Sequence, residues 1–108
     1  MKEIKAYIKS IKRGAVTQAL HKIEGISGAS FSNVVGFGRG KAESSGDSPD
    51  RDITGTSKHL KVEVVCDDGL ESEVVEAIHH AAHTGLRGDG RIFVSDVGWS
   101  VRIQEVPE

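Results

Sequence analysis

A small α+β domain with the order β-α-β, long loop, β-α-β is predicted from three observations. Apolar residues alternate with polar ones at the head of each half, as Ile4, Ala6 and Ile8 and again in HLKVEVVC at 59–66. Each alternating run is followed by apolar residues at helical spacing, Val16, Ala19, Leu20 and Ile23 in the first half and Leu70, Val74, Ile78 and Ala81 in the second. Between them the composition breaks sharply: GRGKAESSGDSPDRDITGTSK at 38–58 has one large apolar residue, Ile53. A period of two marks a half-buried strand and a period near 3.6 an amphipathic helix. The duplicated pattern is that of the ferredoxin-like βαββαβ plan, with two helices on one face of a four-stranded antiparallel sheet.

Each element follows in chain order. The first strand carries Ile4, Ala6 and Ile8 on one face and Lys5, Tyr7 and Lys9 on the other. Gly25 ends the helix that follows it, because glycine adopts the backbone path that closes a helix. ASFSNVVGF at 29–37 reads as the second strand. The 38–58 stretch cannot bury enough apolar surface to order itself, and a connection of that length inside a compact domain signals function. The strand 59–66 and the second helix come next, then a glycine-rich loop, the strand IFVSDV at 92–97, and a last short strand around Val101 and Ile103. One sheet face is left without a cover, so oligomerisation is expected.

Composition bounds the function. The chain has 108 residues, enough for one domain, 1–108. Fourteen Lys and Arg against sixteen Asp and Glu leave no basic footprint for nucleic acid or an anionic membrane. The lone Cys66 excludes an intramolecular disulfide. MKEIKAYIKSIKR interleaves charges with apolar residues, unlike a signal peptide or a membrane span, so a cytoplasmic protein is expected. No Asp/His or Ser/His arrangement stands at a catalytic spacing, and an enzyme is not expected.

The loop HTGLRGDGRIFV at 83–94 raises the functional question. Glycine costs about 0.5–1 kcal/mol relative to alanine in regular structure, so the cluster needs an unusual backbone path or a ligand against the chain. Phosphate-binding loops of the nucleotide folds run from strand into helix, whereas this one runs from helix into strand. Successive N–H groups of a glycine-rich turn nevertheless form a nest for anionic oxygens, and Arg87, Arg91 and Arg102 are near in sequence. The competing reading is a tight turn with solvated arginines.

A second glycine cluster, GFGRGK at 36–41, ends the second strand. With VVGFGRGK at 34–41, KVEVV at 61–65 and TGLRGDGRIFVSDV at 84–97, the chain resembles the PII signal-transduction family over nearly its whole length. The resemblance implies a homotrimer of ferredoxin-like subunits that binds ATP, ADP or AMP in clefts between neighbours. It implies a T-loop, here about 38–58, that docks onto a transporter, an enzyme or a regulator. It also implies site residues: Gly36, Phe37, Gly38 and Arg39 at the strand end, Gly88, Asp89, Gly90 and Arg91 in the phosphate loop, Ser30 and Val65 near the adenine, and Arg102 reaching a phosphate from the adjacent subunit.

The departures are equally specific. Gly40 stands where the family usually has a glutamine that helps hold magnesium-bound 2-oxoglutarate, and His59 replaces a lysine that meets its carboxylate. Gln104 replaces a second basic residue, which should weaken triphosphate binding relative to diphosphate or monophosphate. A divergent member without 2-oxoglutarate sensing is expected, with magnesium as a possible companion of the nucleotide and bicarbonate as an alternative effector. A second alternative is a metal-handling trimer carried by His79, His80 and His83, of which His79 and His83 are spaced i, i+4 and Cys66 or Glu76 could complete a site. The bland reading, a solvated helix face, is preferred, and no metal site is assigned. Trp99 is expected to pack in the core or the trimer, and Cys66 to be a small buried hydrophobe.

Overall fold

In the computed structural model, which describes residues 1–37 and 56–106, both predicted halves form around one sheet. The elements are β1 (Lys2–Ile8), α1 (Arg13–His21), β2 (Ser30–Phe37), β3 (Thr56–Cys66), α2 (Glu71–Ala82) and β4 (Arg91–Asp96). Short 3-10 turns, Ser10–Lys12 and Asp68–Leu70, lead into the two helices. The sheet order is β2-β3-β1-β4 and every neighbouring pair is antiparallel. This is the ferredoxin-like arrangement.

The alternation in β1 works as the sequence predicts. Ile4, Ala6 and Ile8 are buried, and Leu60, Val62, Val64 and Cys66 of β3 share their face, opposite the helices' Val16, Leu20, Val74 and Ile78. Register makes this one layer: Ile4 pairs with Val64, Ala6 with Val62 and Ile8 with Leu60. Burial of each such side chain stabilises by about 1.5–3 kcal/mol, so this layer is the main source of stability. Among the described residues no polar or charged side chain is buried in it.

The opposite sheet face has no helix. Glu3, Lys5 and Tyr7 of β1 lie there beside Lys61, Glu63 and Val65 of β3. Phe93, paired with Lys5, adds a half-exposed ring that meets Tyr7 edge-on at 6.2 Å. A further feature is the reach of β2 and β3. The β1–β3 ladder ends at Ile8↔Leu60, whereas β2 and β3 stay paired through Val34↔His59, Val35↔Lys58 and Gly36↔Ser57 to Phe37↔Thr56. A two-stranded ribbon therefore extends beyond the four-stranded sheet.

Several expectations need correction. The strand predicted around Val101 and Ile103 does not form; a turn closed by Glu105 N–H to Arg102 O at 3.0 Å stands there, and Ile103 is fully exposed. Alternation alone is insufficient where no described strand offers a partner. Trp99 is 80% exposed and packs into no core of its own chain. On α2, Val74, Ile78 and Ala82 are buried at i, i+4 spacing, and the predicted Leu70 and Ala81 are partly buried and packed against the same core. Leu70 and Ile23 lie just outside their helices, and Gly25, at φ +100°, turns the chain between them. Residues 56–58, expected in the long loop, begin β3, and the rest of that loop, 38–55, lies outside the described residues.

Candidate functional site

The glycine loop hangs between the end of α2 and the head of β4. Its glycines have backbone reasons to be there. Gly85, Gly88 and Gly90 hold φ of +82°, +83° and +102°, a region that favours glycine. Gly90 has a second reason. A Cβ on it would lie 1.6 Å from the Tyr7 carbonyl oxygen, so the loop backbone crosses directly against β1.

Asp89 organises the turn from inside. Its carboxylate accepts the Thr84 and Gly85 N–H groups at 2.8 and 3.0 Å and a short bond from the Thr84 hydroxyl. Lys9 Nζ lies 3.2 Å from Asp89 Oδ1 and 3.2 Å from Thr84 Oγ1, and His83 Nδ1 stands 3.7 Å from Oδ2. Thr84 Oγ1 also accepts the Leu86 N–H at 3.0 Å, which uses its full bonding capacity. Burial pushes the Asp89 carboxyl up, but the bonds from Thr84, Gly85 and Lys9 outweigh it and hold the group well below the usual carboxylate range. The aspartate in the motif is therefore turned into the protein, while Gly88, Gly90 and Arg91 are exposed at the loop and the strand head.

A groove of about 340 Å³ runs along this edge between α2 and β4. Val75, Ala82 and Ile92 form its apolar floor, and His79, His83 and Arg91 line its polar part.

The second group of expected residues lies across the molecule. Ser30 and Val65 share an open hollow of about 500 Å³ with Ser27, Gly28, Glu3 and Glu63. Register brings them together: Ser30 pairs with Glu63, and Val65 with Glu3. Two carboxylates and a hydroxyl line the hollow, and Lys61 Nζ lies 3.7 Å from the Glu63 carboxylate. Gly36 and Phe37 continue the same edge at the end of β2, and His59 sits beside them opposite Val34. Gly38, Arg39 and Gly40 lie outside the described residues. Arg102 is exposed in the turn after β4, not on a strand.

The two groups occupy opposite edges of the sheet. Ser30, Gly36 and Phe37 are on β2, and Gly88 to Arg91 lead into β4. Three strand spacings of about 4.8 Å put the edges roughly 14 Å apart. One chain thus carries a hollow lined by Ser30, Val65 and two carboxylates on one side and the glycine loop with Arg91 on the other.

The sequence reading missed Glu3, Glu63, Lys9 and Thr84. Strand parity could have found the first two, since Glu3 and Glu63 alternate with core residues. Lys9 meets Thr84 across 75 residues, and no local pattern announces that. His79, His80 and His83 are exposed, as expected of a polar helix face. Among the described residues no group of three or more His, Cys, Asp or Glu is placed to hold a metal ion, and no helix is long and apolar enough to cross a membrane.

Comparison with known proteins bears on this geometry. The family model described as nitrogen regulatory protein P-II matches residues 1–106. The chain is 41% identical over 104 residues to the nitrogen regulatory protein P-II of Azospirillum brasilense, covering 96% of this chain and 92% of that one. The proteins of the same name from Rhodospirillum rubrum and Haemophilus influenzae are 38% and 39% identical over the same shares.

Proposed function

This chain belongs to the nitrogen regulatory protein P-II family, and on that premise we propose that it is a regulatory nucleotide sensor, not an enzyme. It acts as a homotrimer that binds ATP, ADP or AMP in the clefts between neighbouring subunits. The nucleotide state is passed to a partner protein, a membrane transporter or a metabolic enzyme, through the segment at about 38–58.

The observation that carries this reading is the division of the site residues between two sheet edges. The two sets are complementary: the hollow on the β2 side is lined by Ser30, Val65 and two carboxylates, while the β4 edge presents Arg91 beside a groove with an apolar floor. Setting the β4 edge of one subunit against the β2 edge of the next supplies both halves in one cleft. Calorimetric titration with ATP, ADP and AMP, alongside light scattering, tests it. A trimer that binds one or more of these at three equivalent sites is the expected result; a monomer that binds with undiminished affinity overturns the shared-site reading.

The effector reading follows from sequence. Gly40 brings no side chain to magnesium, and His59 stands in place of a permanently charged lysine. A dicarboxylate beside a phosphate chain is then poorly compensated, so 2-oxoglutarate is expected to bind weakly or not at all to the nucleotide-loaded protein. Parallel titrations with 2-oxoglutarate and bicarbonate decide between the two effectors, and tight magnesium-dependent 2-oxoglutarate binding would reverse this reading.

A further inference from the structure

An aspartate in the middle of a loop proposed to hold phosphates is an electrostatic problem. Its charge sits where an anion must come. The residues beneath the loop resolve it. Lys9 follows β1 directly, and its side chain is only 13% exposed. It runs under the loop, with its Cε 3.8 Å from where a Gly88 Cβ would be. Its ammonium reaches Asp89 Oδ1 and Thr84 Oγ1, both at 3.2 Å. An ammonium this covered needs hydrogen-bonding partners, and Asp89 and Thr84 are those partners.

We infer that Lys9 is a positioning residue for phosphate binding: through Asp89 and Thr84 it fixes the 84–90 turn so that its far end, with Gly88, Gly90 and Arg91, stays exposed, and its charge cancels that of the Asp89 carboxylate. The inference rests on the nucleotide-site reading above. Asp89 can then shape the loop without repelling the ligand. His83, 3.7 Å from Asp89 and 62% exposed, is too open to solvent to do this in its place. Arg91, exposed at the strand head, is left for the ligand itself.

Two readings of Lys9 differ in outcome. A lysine that only packs the loop would affect all nucleotides equally. A lysine that cancels a partly buried carboxylate matters more as the phosphate charge grows. In Lys9→Met the ADP and ATP dissociation constants are expected to rise about tenfold or more, and that of AMP by less, as befits loss of one charge-assisted contact. Lys9→Arg, which keeps the charge, should stay within about threefold of the parent for all three. In the Lys9→Met/Asp89→Asn double variant the uncompensated charge is gone while an acceptor for the Thr84 and Gly85 N–H groups remains, so ADP affinity should recover most of the loss. Should Lys9→Met not fold, Lys9→Gln keeps a donor without the charge and carries the same expectations.

Hydrogen exchange on the intact protein without nucleotide gives an independent readout. The Thr84 and Gly85 amides should exchange at least about tenfold faster in Lys9→Met. Equal losses for AMP, ADP and ATP, or a double variant weaker than Lys9→Met, overturn the charge-cancelling role. Unchanged amide exchange overturns the positioning role. If the parent binds no nucleotide, the sensor reading and the phosphate role of Lys9 fall together, while the exchange arm still decides whether Lys9 holds the loop.

Discussion

Gly90 shows how much one residue of a loop can carry. Its φ of +102° and the 1.6 Å approach of a hypothetical Cβ to the Tyr7 carbonyl act together. Gly90→Ala must both strain the backbone, about 1–3 kcal/mol, and push β4 away from β1. Gly88 has the first difficulty without the second, since its Cβ would meet only Lys9 Cε at 3.8 Å. Thermal unfolding should separate them: a drop of several degrees for Gly88→Ala and a much larger one, or failure to fold, for Gly90→Ala. The sequence made the cluster visible as a loop with an unusual path but could not say which glycine is pressed against another strand. That contact joins residues 83 positions apart in the chain.

Asp89 adds a pH dependence. Burial raises its carboxyl and the Thr84, Gly85 and Lys9 bonds lower it further, so its net shift is downward. A carboxyl with a depressed folded-state pKa contributes stability in full above its unfolded value of about 3.9, and loses it as pH falls through that value towards the folded one. Asp89→Ala should therefore cost roughly 1.5–3 kcal/mol at pH 7, the scale of a hydrogen bond to a charged group. The gap between parent and variant should narrow below about pH 4. Denaturant unfolding at pH 7, 5 and 3 measures it, and a gap independent of pH would show that the charge is not what holds the loop. Arg91→Ala, by contrast, alters an exposed strand head. It should leave stability nearly unchanged and weaken ADP about ten- to a hundredfold, on the same hydrogen-bond scale.

Among the elements, β1 and α2 were the most legible and the chain after β4 the least. The period of two in Ile4, Ala6 and Ile8 translates directly into a buried face because β1 is flanked on both sides, by β3 and β4. On α2 the predicted Val74 and Ile78 are both fully buried and Ala81 packs, partly buried, against the same core, with Ala82 completing the i, i+4 series. Ile78→Ala should cost about 2–5 kcal/mol, as a cavity opens beneath both strands of the centre. Ala81→Ser, at the partly buried rim of that core, should cost far less than Ile78→Ala. Val101 and Ile103 show where periodicity fails: they alternate like a strand, yet are 60% and 99% exposed, because alternation states a preference for a half-buried surface and does not supply one.

At the scale of the whole molecule, the uncovered sheet face and the exposed Trp99, Val101 and Ile103 are the surfaces that assembly would cover. Phe93, half exposed against Tyr7 on that face, is placed to report it. Phe93→Asp is expected to shift the light-scattering mass from trimer towards monomer with the far-ultraviolet circular dichroism unchanged; an unaltered trimer would remove this face from the interface. The fold could be read from sequence because each half repeats one local pattern. The candidate site could be read only in pieces, since its residues meet through register or across 75 positions of the chain, as Lys9 and Thr84 do.

If the clefts are shared between subunits as proposed, the placement of the two residue groups on opposite edges makes a genetic statement. Consider a subunit crippled at the β4 edge by Arg91→Ala and another crippled at the β2 edge by Ser30→Trp. A trimer of either alone has no intact cleft. In any ring that contains both kinds, going round in one direction passes once from a sound β4 edge to a sound β2 edge. Each mixed trimer therefore regains one whole cleft and concentrates both lesions in another. Two weakened proteins, unfolded and refolded together, should recover at one cleft of each mixed trimer the tight nucleotide binding that neither shows alone. Alleles of this kind would complement each other in one cell, and a site built within a single chain would never allow it.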